Sequence, residues 1–238
     1  LIHKLKNQTM LNTIANQLEN TLNQITVAAK LAQRDPATIQ LLAVSKTKPV
    51  SDLVLAYQAG QRHFGENYVQ EGTEKTQALA HLNDIVWHFI GPIQSNKSKF
   101  IAEHFAWCHS IDRLKIAQRL NNQRLPSQDP LQICIQINID HEESKAGIAP
   151  EELMSMAAQI AEMEHLTLRG IMAIPKASAD YDTQLSSFSR LAALFGQLKT
   201  RYPQVDTLSM GMSSDLNAAI AAGSTMVRVG TGIFGQRQ

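Results

Sequence analysis

Lys46 closes the apolar run Leu41-Leu42-Ala43-Val44-Ser45-Lys46, three residues before Pro49. Aliphatic runs of this length bounded by a proline read as strands in a sheet interior. Lysine is almost never fully buried unless it is paired or chemically employed. Lys46 therefore either marks the point where the strand reaches solvent, or is an amine of lowered pKa able to attack a carbonyl and form a Schiff base. Two stretches far downstream bear on that choice. Gly211-Met212-Ser213-Ser214 ends an apolar run directly before a helical pattern, where hydroxyls and helix N-terminal amides suit an anion. Gly230-Thr231-Gly232 follows Met226-Val227-Arg228-Val229, and its small residues let backbone N–H groups approach a phosphate. By strand alternation Arg228 shares a face with Met226 and Gly230. A guanidinium there is costly to desolvate unless an acceptor meets it, whether a ligand or a structural carboxylate.

The elements that must position these residues alternate regularly. An amphipathic helical pattern from Met10 to about Arg34 (Leu11, Ile14, Leu18, Leu22, Ile25, Ala29) is stopped by Asp35-Pro36. After the first strand, Ser51 and Asp52 offer N-cap chemistry for a helix over Leu53–Ala59, which Gly60 closes. Further strands are predicted at 63–69, 85–90, 105–111, 131–138, 168–174, 208–213 and 226–229, with helices at 70–80, 97–104, 112–122, 150–164, 181–202 and 214–222. Strict alternation implies parallel strands joined by right-handed crossovers. Eight such units in 238 residues predict an α/β fold, a single (β/α)8 TIM-type barrel with an N-terminal helix. Such barrels work at the C-terminal ends of their strands and bind phosphate after strands 7 and 8, where the two glycine-containing turns fall. An open doubly wound sheet is the alternative, but the chain has neither a G-x-G-x-x-G opening its first helix nor a phosphate-binding G-x-x-x-x-G-K-[ST]. Residues 1–9 read as an N-terminal extension or a cloning remnant, and 10–238 as one domain.

Composition narrows the function classes. A net charge of +1 supplies no basic stripe for nucleic acid. No run approaches the length of a membrane span, and the first residues have no long apolar stretch that would make a secretory signal. Cys108 and Cys134 sit in apolar runs without CxxC spacing, as reduced core residues do, so a cytoplasmic setting is expected. The histidines show no metal-ligand spacing. His88 and His109 lie late in strands, where hydrogen-bonded core residues are the common outcome. Asp215 stands where a G-x-S-x-G elbow needs its second glycine, so Ser213 is a weak nucleophile candidate.

A lysine after strand 1, a phosphate cradle after strands 7 and 8 and an arginine between them match the needs of pyridoxal 5′-phosphate (PLP). A class I Schiff-base aldolase, with a phosphorylated substrate and no cofactor, would use similar parts. At this point the chain resembles a known family. Ala43-Val44-Ser45-Lys46-Thr47-Lys48-Pro49, Phe64-Gly65-Glu66-Asn67-Tyr68-Val69-Gln70-Glu71, the Trp87–Lys97 stretch, Glu143-Ser144-Lys145-Ala146-Gly147, Leu208–Ser213 and Val227–Gly235 all resemble the YggS/PROSC, or pyridoxal phosphate homeostasis protein, family. The resemblance implies a barrel like the alanine racemase N-terminal domain, with PLP held as a Schiff base on Lys46. It implies Ser213, Gly230 and Thr231 on the phosphate, Arg228 facing the pyridine nitrogen, Asn67 near the ring and Lys145 near the entrance. It further implies a cytoplasmic monomer in vitamin B6 homeostasis, with apo PLP-enzymes as acceptors and neither nucleic acid nor membrane as partner. No catalytic turnover is implied: an always-charged arginine disfavours a protonated ring, and the sequence after strand 8 has no room for the racemase second domain. A PLP-dependent racemase-like enzyme is the alternative. Lys48, two residues on, is a candidate for lowering the pKa of Lys46.

Overall fold

The computed structural model describes residues 2–142 and 145–236, with side chains described from residue 13 onward. Strands β1 (Gln40–Val44), β2 (His63–Glu66), β3 (Val86–Phe89), β4 (Trp107–Ile111), β5 (Leu131–Gln136), β6 (Leu166–Met172), β7 (Thr207–Ser209) and β8 (Met226–Val229) close into a barrel in chain order. The pairings are parallel, and β1 meets β8 with Gln40 opposite Met226 and Ala43 opposite Val229. The (β/α)8 architecture expected from the alternation is the one found. Along β1, Leu41 and Ala43 join the main core, whereas Leu42 clusters with Ile90 and Met226, as a two-residue side-chain period requires. Where β6 meets β7 the backbones come so close that a Cβ on Gly170 would lie 1.7 Å from the Thr207 carbonyl oxygen.

The helices are α1 (Ile2–Leu31), α2 (Val50–Gln58), α3 (Val69–Ala78), α4 (Ser98–His104), α5 (Leu114–Gln123), α6 (Leu153–Ala161), α7 (Tyr181–Arg201), α8 (Leu216–Ala221) and α9 (Thr231–Phe234). α9 has only four residues, too few to cover the face where β8 meets β1. α1 fills that place, packing against α2, α8 and α9. It buries Ile14, Leu18, Ile25, Ala28 and Ala29. Each fully buried leucine or isoleucine contributes about 1.5–3 kcal/mol, which fixes the helix against the barrel.

Several boundaries differ from the expected ones for local reasons. α1 begins at Ile2 and ends at Leu31, because Gln33 turns left-handed at φ 55° and Asp35 caps the next 3-10 turn through Ala37 N–H. Leu22, expected on the buried stripe of α1, faces outward, and the side chain of Leu11 lies outside the described residues. α2 starts directly after Pro49, so Ser51 and Asp52 sit in its first turn and neither caps it. Gly60, at φ 101°, ends that helix as expected. Among the described residues no helix is long and apolar enough to cross a membrane.

Candidate functional site at the C-terminal mouth of the barrel

β1 stops at Val44, so Lys46 lies just beyond the strand, in a turn closed by Lys48 N–H donating to Ser45 O at 3.1 Å. Thr47 occupies that turn at φ 63°. A β-branched residue rarely adopts positive φ, and such strain costs on the order of 1–3 kcal/mol unless the surroundings enforce it. The enforcing contacts are visible. Thr47 N–H donates to Glu71 Oε1 at 2.6 Å. Lys75 Nζ donates to the same Glu71 oxygen, to Ser45 O and to Glu66 Oε1. Ser45 Oγ donates to Glu66 Oε1 at 2.6 Å. Glu66 at the end of β2 is wholly buried, and its burial raises its pKa against the opposing pull of Lys75. A buried carboxylate–ammonium pair, closed by Glu71, therefore underpins the Lys46 turn. Glu66 and Glu71 fall within the Phe64–Glu71 stretch of the sequence, but neither they nor Lys75 are among the expected site residues. The Glu71–Lys75 spacing of four on α3 was a readable signal for one pair, but nothing local announces that Glu66 meets Lys75.

The β1–β8 register brings the last predicted loop alongside. Gly230 follows β8 beside Val44, and a Cβ there would stand 3.1 Å from Val44 O. Lys46, Gly230 and Thr231 wall one cavity of about 50 Å³ together with Val44, Thr47, Lys48 and Gly235. Ser213 reaches the same loop: its Oγ lies 3.7 Å from where a Cβ on Gly232 would be. The expected helix start at Ser214 is corrected, since α8 begins at Leu216. Residues 212–215 form a turn instead, in which Asp215 Oδ1 accepts from Met212 N–H at 2.5 Å. Ser213 and Thr231 are both exposed, so their hydroxyls are open to a ligand.

Arg228 is buried, with Nη1 donating to Ser209 Oγ at 2.9 Å and Nη2 to Ala173 O at 3.0 Å. Loss of hydration lowers its pKa to about 10, outweighing the raising effect of Asp215, so it stays charged near neutrality. Among the described residues no carboxylate pairs with it. The structural-carboxylate explanation for this arginine therefore falls away. Asn67, directly after β2, carries a buried Oδ1 without a hydrogen-bond partner among the described residues. Its backbone is pressed against Gly91, where a Cβ would stand 2.0 Å from Asn67 O. Lys145 Nζ donates to Pro175 O at 2.8 Å, just past the Ala173 carbonyl that Arg228 uses, and pairs with Glu142. Glu143 and Ser144 of that loop lie outside the described residues.

The structure thus gathers Lys46, Gly230 and Thr231 around one opening, with Ser213 beside Gly232, and with Arg228 on β8 and Asn67 after β2, the two strands that flank β1. Lys48 lines the same cavity as Lys46, and its Nζ donates to Gln236 O at 2.9 Å. Cys108 and Cys134 are free and buried, and burial pushes the Cys108 thiol up to about 12, so neither is a reactive thiolate. Among the described residues no group of histidine, cysteine or carboxylate side chains could hold a metal ion.

Residues 12–238 match the family model described as "Alanine racemase, N-terminal domain". The chain belongs to that family of barrels. It is 55% identical over 229 residues to the pyridoxal phosphate homeostasis protein of Escherichia coli K12, covering 95% of this chain and 98% of that one. The protein of the same name from Vibrio alginolyticus is 54% identical over 230 residues. PipY of Synechococcus elongatus, solved with PLP bound, is 36% identical, covers 93% of this chain and 100% of its own, and superposes with a TM-score of 0.79. Within the barrel family, the chain belongs to the pyridoxal phosphate homeostasis proteins.

Proposed function

We propose that this protein binds PLP and serves its homeostasis, with Lys46 as the covalent attachment point. The observation that carries the reading is the shared cavity: the amine-bearing turn after β1 and the glycine turn after β8 wall the same opening. Other features of the structure fit the group. Gly230 leaves room against Val44 O that a side chain would fill. Ser213 and Thr231 present hydroxyls for a phosphate beside it. Arg228 brings a charged donor that no carboxylate among the described residues pairs with, suited to a ring nitrogen with a free lone pair. Asn67 Oδ1 is a buried acceptor awaiting a donor.

When bound, PLP supplies a reactive aldehyde and an electron-withdrawing ring. The chain's own residues hold it rather than exploit it. A permanent positive charge at the ring nitrogen opposes protonation there and weakens the electron sink. The relatives carry names of homeostasis proteins rather than of enzymes, which supports binding without turnover. The same reading has a cytoplasmic monomer passing PLP to apo-enzymes.

The purified protein should be yellow, and borohydride should fix a pyridoxyl group on Lys46 detectable by peptide mass. Lys46→Ala should abolish both signals. Protein that stays colourless with excess PLP would overturn the reading, and sustained turnover of any amino acid would overturn its non-catalytic part. Transfer of PLP to an apo-enzyme faster than spontaneous release supports the carrier role, and transfer no faster than release removes it.

A further inference from the structure

Below the site, a line of polar side chains crosses the barrel interior. Arg228 Nη1 donates to Ser209 Oγ, which lies 3.0 Å from His109 Nδ1. His109 Nε2 is 2.9 Å from His88 Nδ1, and His88 Nε2 is 3.0 Å from His63 Nδ1. These five residues come from β8, β7, β4, β3 and β2 in turn. His63 opens β2 and lines a cavity of about 250 Å³ with Trp107, Arg169 and Asp206, at the mouth opposite Lys46.

The direction of this line follows from counting protons. Arginine has donors only, so the Ser209 oxygen must accept from Arg228. Ser209 is fully buried, and its hydroxyl has one further side-chain partner among the described residues, His109 Nδ1. If His109 donated from Nδ1, the serine proton would be buried without an acceptor, at a penalty no link in the line offsets. Ser209 therefore donates to His109 Nδ1. A neutral imidazole has one donor and one acceptor, so His109 then donates from Nε2 to His88 Nδ1, and His88 from Nε2 to His63 Nδ1. Burial keeps the inner rings neutral: it pulls His88 well below the usual histidine range and, with the charge of Arg228, His109 to about 3. Trp107 stacks on His88 with centroids 5.2 Å apart.

We infer that Ser209, His109, His88 and His63 are positioning residues forming a one-way donor chain from Arg228 to the opposite mouth, which fixes the guanidinium without giving it a counter-charge. The site therefore selects a ligand that offers a lone-pair acceptor to Arg228. Only this selection clause rests on the PLP reading above.

The chain is tested first on the full-length protein without PLP, by ¹⁵N NMR of labelled histidine near neutral pH. All three rings should be Nε2–H tautomers with bare Nδ1, and Ser209→Thr, which keeps the hydroxyl, should preserve that state. Ser209→Ala should remove the single direction and mix the tautomers. An Nδ1–H tautomer or an imidazolium at His88 or His109 in the unaltered protein overturns the chain. A second measurement is PLP affinity: Ser209→Ala should weaken it on the order of tenfold, with Ser209→Thr recovering most of the loss. Unchanged affinity in a folded Ser209→Ala protein overturns the selection clause. A protein with ordered tautomers that binds no PLP would sink the functional reading and leave the donor chain standing.

Discussion

Thr47 N–H donates to Glu71 Oε1 at 2.6 Å, so a carboxylate on α3 holds the residue after Lys46 in a left-handed conformation it would not choose. The lysine's direction is thereby set by an element that contributes nothing to the cavity itself. Glu71→Ala should release the turn and deprive Lys75 of one of its three acceptors. The expected cost is about 1–3 kcal/mol in urea unfolding, with a parallel fall in the PLP retained after dialysis. Retention equal to that of the unaltered protein would show that the turn holds its shape unaided.

Gly230→Val tests the cradle separately from the lysine. The first carbon of the new side chain would stand 3.1 Å from Val44 O, a contact the backbone must yield to. PLP affinity should drop at least about tenfold, while Lys46 remains present for attachment. Titration followed by visible absorbance would read the change.

Gly170→Ala addresses the barrel rather than the site. Its methyl group would sit 1.7 Å from Thr207 O, so β6 and β7 cannot keep their register. A loss above about 4 kcal/mol is expected, seen as insoluble protein or a strongly lowered melting temperature.

Acid stability follows from the buried histidines. In the folded chain the pKa of His109 lies at about 3 against an ordinary 6.5, so the unfolded chain binds the extra proton between those values. The stability this contributes is fully present above the ordinary value and is lost as pH falls toward the folded one. Moving from about pH 7 to about pH 5 should remove about 2 kcal/mol through this one ring. His109→Gln should show a correspondingly shallower loss in denaturant titrations at the two pH values.

What the sequence disclosed reflects which interactions are local. Strand and helix alternation, Gly60 as a helix end and the order of elements all follow from periodicity and turn chemistry along a few residues. Lys46, Gly230 and Thr231 stand out as candidates because a barrel places the ends of neighbouring strands together. Arg228 stands out as a candidate because strands alternate. The Glu66–Lys75 pair and the His63–His88–His109 line were not legible, since each joins residues from separate strands or helices whose meeting depends on register. Exposed Leu22 and the late start of α8 show the same limit at smaller scale: a stripe or a turn signal names a segment, and packing chooses which residues it uses.

The pairing of β1 with β8 has a mechanical meaning for the ligand. It joins the first strand of the barrel to the last, and the Lys46 turn and the Gly230–Thr231 turn flank that join. A molecule bound to both would act as a staple across the seam where the cylinder is closed. Its binding energy would then oppose the opening of the barrel at the one strand pair whose members are not consecutive in the chain.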